Sequence, residues 1–432
     1  MKNPLAILCV CLAFATSPAW AQSYKITGVY PANTTPTATQ GVLPLNPNTT
    51  DCQSQTWYGP EVFLYPPDDF GRENLGFIAQ GGHNADTSCG MLHPVDSFYS
   101  AERDTASGVW TTPPTGACPT VRGEYVRCGS DPASGENGPI GGPSIVRIKI
   151  SDGPPKPTYK YFMAYNGGNS DFVTDGKIYW AVSDDARTWM HYNWNPPNGE
   201  NDTPIIYPYY HDCEGSAALP DGVQAVSLLF EPNDTVGGIN PNGTFYIFFN
   251  YINHGAFYGG LAYRFGYNPQ HPFGFGSNGQ IFEQGQWRPH SGKLVWQYDV
   301  DAGRSAVGND IVLQPFSSIS TLNAGIGDIK KNPDTGQYLH VFPTGGDFKT
   351  QVSSSLSTNS WSAPAVVDAS LLKASYSDYY ANSGEHIQYE GGLWYGTLGS
   401  RRGWWFIVPV NHLGCPDVFL GLGMVATALD PQ

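Results

Sequence analysis

Three features of this sequence predict an all-β chain, a five-bladed β-propeller of four-stranded antiparallel sheets. The 432 residues include 51 Gly and 36 Pro, aromatic residues make up 14% of the chain and charged residues only 14%, and one strand pattern returns five times. Gly and Pro at this density break helices and supply turns between short strands. The wealth of rings excludes disorder, which needs few aromatics and dense charge. A formal charge of −15 disfavours nucleic acid and anionic membrane surfaces, because both require clustered Lys and Arg. A neutral partner fits better.

The chain opens on what reads as a signal peptide, residues 1–21. Lys2 supplies the positive start, Leu5 to Ala15 the apolar stretch, and Ala19-Trp20-Ala21 the small-x-small cleavage pattern, with Gln22 as the expected mature N-terminus. The stretch is shorter than the ~20 residues of a spanning helix, so a secreted or periplasmic protein free of the membrane is expected. Residues 22–56 read as an N-terminal strand and coil, in which Tyr24 to Tyr30 pairs with the last sheet to close the ring, and residues 57–432 as a single propeller domain. Cleavage leaves Cys52, Cys89, Cys118, Cys128, Cys213 and Cys415, an even number that favours disulfides in an exported chain. Their pairing stays open, although Cys118 with Cys128 would close a short loop.

The first unit runs through GPEVFLYP from Gly59, LGFIAQGG from Leu75 and a segment ending at Trp110. The second is GGPSIVRIKI from Gly141, YKYFMAYNGG from Tyr159 and KIYWAVSDDARTW ending at Trp189. The third begins near EGSAAL at Glu214 and continues from Gly243 and Gly259. The fourth is GIGDIKKN from Gly325, QYLHVFPTGG from Gln337 and a segment ending at Trp361. The fifth is SGEHIQYEGG from Ser383, LWYGTLGS from Leu393 and GWWFIVPV from Gly403. A lone sheet of this kind cannot bury both faces, whereas five in a ring bury each against the next. The long third interval, with NPQHPFGFGSNGQ from Asn268, is read as an insertion loop, a sixth blade being the alternative.

The wording of the second unit resembles the blades of five-bladed propeller glycoside hydrolases, family 43 and its arabinanase, xylosidase and fructosidase relatives. Ser183, Asp185 and Trp189 are similar to that family's S-x-D-x-x-x-W turn, with Ala186 where Gly is usual. The resemblance implies a secreted glycosidase, a carbohydrate partner and a monomer. It implies no cofactor beyond the room such folds leave for a structural Ca ion on the propeller axis. It also implies an axial pocket where the innermost strands meet. At the expected strand starts stand Glu61, Gly142 with Ser144, Asp212 with Glu214, Asp328, and Glu385 with His386. Glycoside hydrolysis needs one protonated and one ionised carboxyl. Glu214 is therefore expected as the acid, with Glu61 or Asp328 as the second carboxyl and Glu385 in reserve. Gly142-Pro143-Ser144 stands where the family reads Asp-Pro-Ser, so a second-blade carboxylate is missing, and a non-catalytic carbohydrate-binding propeller is the rival reading. Tyr58, Tyr209 and Tyr210 are candidate sugar-stacking rings, and His386 a candidate axial contact. No zinc-site spacing or nucleotide motif is present.

Overall fold

The computed structural model describes residues 22–30, 57–81, 97–104, 110–111, 118, 120–121, 140–167, 176–192, 205–206, 222–234, 242–253, 256–275, 280–283, 286–289, 327–344, 347–356, 361–375, 392–398, 400–410 and 423–432. These residues form five antiparallel sheets. Strand β1 (Tyr24–Tyr30) opens the chain. The first blade holds β2 (Trp57–Leu64), β3 (Leu75–Gly81), β4 (Ser97–Arg103) and β5 (Trp110–Thr111). The second holds β6 (Ile140–Ser151), β7 (Thr158–Gly167), β8 (Lys177–Ser183) and β9 (Met190–His191). The third holds β10 (Gly222–Glu231), β11 (Thr244–Asn253), β12 (Ala256–Gly266), β13 (Gln280–Glu283) and β14 (Gln286–Pro289). The fourth is β15 (Asp328–Lys331), β16 (Tyr338–Thr344), β17 (Asp347–Ser353) and β18 (Ala365–Val366), followed by one helical turn and a half, α1 (Ser370–Ser375). The fifth is β19 (Gly392–Leu398), β20 (Arg401–Val410) and β21 (Gly423–Pro431), completed by β1 in the order β1-β21-β20-β19.

The first strands of the blades, β2, β6, β10, β15 and β19, each pack beside the next and return to β2, which makes the ring five-bladed. The apolar core divides accordingly into five clusters, one in each gap between neighbouring blades. Phe162, Trp180, Phe245 and Phe265 fill the gap between the second and third blades, and Phe63, Tyr161, Met163 and Tyr165 the gap between the first and second. Period-two alternation explains the split: on β7, Phe162 and Ala164 face one neighbour while Tyr161, Met163 and Tyr165 face the other. A sheet sandwiched on both sides reads as apolar on both sides, and every residue of β8 is buried.

Trp189 packs into the gap between the first two blades and Trp361 into that between the third and fourth, at matching places ahead of an outermost strand. Trp110 opens the corresponding strand of the first blade. The turn before Trp189 is built as its sequence suggests. Ser183 Oγ accepts the N–H groups of Asp185 and Ala186, and Asp185 Oδ1 accepts those of Arg187 and Thr188, both at 2.7 Å. Ala186 adopts a φ of 57°, in the left-handed region that favours glycine.

Ring closure by β1 is as expected. Its register runs from Tyr24 opposite Pro431 to Tyr30 opposite Ala426, and on its other side Ile26 N–H donates to Asp368 O at 2.9 Å while Asp368 N–H donates to Tyr24 O. Asp368 then caps α1 through the Ser370 N–H. Buried Tyr24, Ile26 and Val29 join the cluster shared by the fourth and fifth blades.

Three expectations need correction. The third sheet has five strands instead of four, because the chain after the insertion folds back as the β13–β14 hairpin. Of the insertion, the described residues 268–275 form a turn that sets Phe273 and Phe275 against the second and third blades, and Phe273 O accepts from Trp180 Nε1. The innermost third strand is Gly222–Glu231, not the segment from Glu214, and the innermost fifth strand is Gly392–Leu398, not the segment from Ser383. The fifth unit supplies three strands of its own and takes its fourth from the N-terminus, which moves every strand of that unit one place inward.

Candidate functional site

At the axis the innermost strands carry a repeated pair, a small or polar residue followed by an aliphatic one: Glu61-Val62, Ser144-Ile145, Ser227-Leu228, Asp328-Ile329 and Gly392-Leu393. In four of the five pairs the side chain of the first member accepts the backbone N–H of the second member in the next blade; Gly392 has no side chain to do so. Ile145 N–H donates to the Glu61 carboxyl. Leu228 N–H donates to Ser144 Oγ, Ile329 N–H to Ser227 Oγ and Leu393 N–H to Asp328 Oδ2, each at 2.9 Å. An innermost strand has a free edge with unpaired amides, and these side chains satisfy it.

Lys330, two residues past Asp328 and so on the same side of β15, extends across the axis. Its Nζ donates to Glu61 Oε1 at 2.6 Å and to Ser144 Oγ at 3.3 Å, and lies 3.5 Å from Asp328 Oδ1. Asp328 also accepts the Ser227 hydroxyl at 2.8 Å. Glu61 is 2% exposed and Asp328 5%. Burial pushes the Glu61 carboxyl up to about 8; the Lys330 ammonium and the Ile145 amide oppose the rise, and the Asp328 charge adds to it. Burial pulls the Lys330 ammonium down, but Asp328 and Glu61 outweigh it and hold it above its ordinary value. The two shifts fit one charge state. Two carboxylates around one ammonium would leave a buried negative charge, and a proton on Glu61 removes it.

Of the residues named from sequence, Glu61 and Asp328 are thus brought together around one ammonium. Glu214, Glu385, His386, Tyr209 and Tyr210 lie outside the described residues, as do Cys52, Cys89, Cys128, Cys213 and Cys415. Tyr58 stands on β2 opposite Gln80. Lys330, Ser144 and Ser227 were missed as partners of the acids. Lys330 follows Asp328 at strand period, which was the available signal; the serines share the polar-aliphatic pair with the acids. The residues at this level do not fit a calcium ion, since the two carboxyls already face an ammonium that would repel it. Among the described residues no group of three or more His, Cys, Asp or Glu is arranged to hold a metal, and no helix is long and apolar enough to cross a membrane.

No family model and no curated protein sequence matches this chain. Solved five-bladed propeller glycoside hydrolases are similar to it. A GH43 β-xylosidase/α-arabinofuranosidase from a compost microbial metagenome, in complex with xylotriose, is 8% identical over 91% of this chain and 94% of its own, with a TM-score of 0.42. A GH43_1 enzyme from Xanthomonas citri, also with xylotriose, is 9% identical over 88% and 87%, with a TM-score of 0.43. The GH32 β-fructofuranosidase of Bombyx mori is 10% identical over 90% of this chain and 63% of its own, with a TM-score of 0.41. The five-bladed ring stands independently on the sheet order and the contacts among the innermost strands.

Proposed function

We propose that this chain is an exported glycoside hydrolase acting on a polysaccharide or oligosaccharide through carboxyl groups gathered at the propeller axis. The observation that carries the reading is the unequal pair beside Lys330. Burial raises the Glu61 carboxyl to about 8, while Asp328 accepts from a hydroxyl and an amide and faces an ammonium. Hydrolysis of a glycosidic bond asks for carboxyls in unequal surroundings, one to give a proton and one to stay charged. Glu214 is assigned as the acid nearest the substrate, with Glu61 or Asp328 as the second carboxyl and Glu385 as the remaining candidate. Tyr58, Tyr209, Tyr210 and His386 are assigned to sugar contact. Residues 1–21 and the disulfide at Cys118 support export.

A second reading, a non-catalytic carbohydrate-binding propeller, is favoured by the burial of both described carboxyls and by their use in inter-blade bonds. Hydrolysis of arabinan, xylan, fructan and galactan by the mature protein separates the two. Turnover that Glu214→Gln abolishes, with folding and glycan binding retained, supports the hydrolase. Binding without turnover on any of the four supports the second reading, and turnover that survives Glu214→Gln removes Glu214 from the mechanism.

A further inference from the structure

The innermost strands converge on one nitrogen. An alkylammonium carries three N–H donors, and three side-chain oxygens face Lys330 Nζ. They are Glu61 Oε1 of the first blade at 2.6 Å, Ser144 Oγ of the second at 3.3 Å and Asp328 Oδ1 of the fourth at 3.5 Å. Each of these side chains also accepts an amide of the blade that follows its own, from Ile145, Leu228 and Leu393 respectively. The ammonium is therefore at most one side chain away from every blade of the ring. Ser227, the third blade's own acceptor, joins the same network by donating its hydroxyl to Asp328 Oδ1 at 2.8 Å.

This cage suits an ammonium and not a bare metal ion. Calcium takes roughly six to eight oxygens at about 2.3 to 2.6 Å, whereas three side chains spread over 2.6 to 3.5 Å surround the nitrogen, one for each of its N–H groups. The remaining oxygen of Asp328 is already taken by the Leu393 amide. Both carboxyls are buried, and a buried carboxyl needs a cation or a proton beside it. The Lys330 side chain is 14% exposed, so the nitrogen's own side of the cage is open to solvent.

We propose that this level of the axis is a receptor for a primary ammonium group, which Lys330 fills from within, so that the chain supplies its own axial cation. The receptor does not depend on either carboxyl being catalytic. Lys330→Ala removes three methylene carbons' worth of stem and the nitrogen, the outline of n-propylammonium, and leaves the oxygens of Glu61, Ser144 and Asp328 in place. A small primary ammonium ion from solution is the ligand that such a cavity takes, because it restores both the N–H donors and the charge.

Urea unfolding of Lys330→Ala, with n-propylammonium, n-propanol or calcium added at matched ionic strength, tests the receptor. Each tenfold rise in n-propylammonium above its dissociation constant should lower the unfolding constant of the variant about tenfold, the behaviour of one site present only in the folded state. The unsubstituted protein, whose site is filled, should gain nothing from it. n-Propanol has the shape without the charge and should not restore the variant, nor should calcium, which lacks N–H donors. Rescue by n-propanol or calcium equal to that by n-propylammonium overturns the proposal, as does a folded variant that n-propylammonium leaves unchanged. Lys330→Met fills the cavity without charge and should be less stable than the unsubstituted protein; equal stability overturns the proposal too, and this comparison decides if Lys330→Ala does not fold.

Discussion

The ammonium of Lys330, on the fourth blade, lies 2.6 Å from Glu61 Oε1 on the first, so one side chain joins two blades that are not neighbours in the ring. Removing either partner has unequal consequences. Lys330→Met strands two buried carboxyls and is expected to cost roughly 3 to 5 kcal/mol in urea unfolding, the range for breaking a buried pair from one side. Glu61→Gln keeps the shape and both hydrogen bonds, and should cost far less. Equal losses would show that charge neutrality is not what the cluster supplies.

Stability should depend on pH with a sign set by Glu61. Its folded pKa, near 8, lies above the ordinary value of 4.5, so the folded state takes up the proton more tightly. The stabilisation is complete below about 4.5 and is lost as pH rises through about 8. Asp185 and Asp430 act in the opposite sense. Burial pushes both carboxyls up, but at Asp185 the Thr188 and Arg187 amides outweigh it, and at Asp430 the Thr27 hydroxyl and Arg401 do, which leaves both below the ordinary range. Their contribution is lost as pH falls through those depressed values. Thermal melts followed by circular dichroism should therefore peak on the acidic side of neutrality, with Glu61→Gln removing the decline between pH 6 and pH 9.

Glycine is required at two axial positions. Gly327 has a φ of 63°, and a Cβ there would run into the carbonyl of Val341. Gly327→Ala combines a left-handed backbone with that collision, and Gly392→Ala has the collision with Pro60 alone. Each should destabilise by about 1 to 3 kcal/mol, Gly327→Ala by more. Chemical denaturation of the two variants checks the order.

The turn ahead of Trp189 offers a local test. Asp185→Ala takes the acceptor away from two backbone amides, and a loss of about 1 to 2 kcal/mol is expected in the same assay. Ser183→Ala removes the acceptor for Asp185 and Ala186 and should cost about 1 kcal/mol.

A chain truncated to begin after residue 30 exposes the edge of β21 and opens the cluster that buries Tyr24, Ile26 and Val29. It should associate or precipitate, because a long unpaired edge recruits other strands. Size-exclusion chromatography of the truncated protein would reveal a stable monomer if β1 were dispensable.

The repeat, the strand content and the closing role of Tyr24–Tyr30 were legible in the sequence, because Gly and Pro punctuation and aromatic strands are local signals. So was the turn at Ser183, Asp185 and Trp189, whose bonds span only a few residues. The innermost strand of the fifth unit was misplaced, since a fifth blade that borrows its outer strand from the N-terminus shifts its own strands inward, and nothing near Ser383 or Leu393 records that loan. Glu61 and Asp328 stood out as acids at strand starts, yet their chemistry depends on Lys330, which is 269 residues from Glu61. Residue types and spacing specify which strands form and which faces they bury. Only closure of the ring decides which free amides, carboxyls and ammonium share the axis, because that proximity comes from summing five inter-blade packings and is written in no single segment.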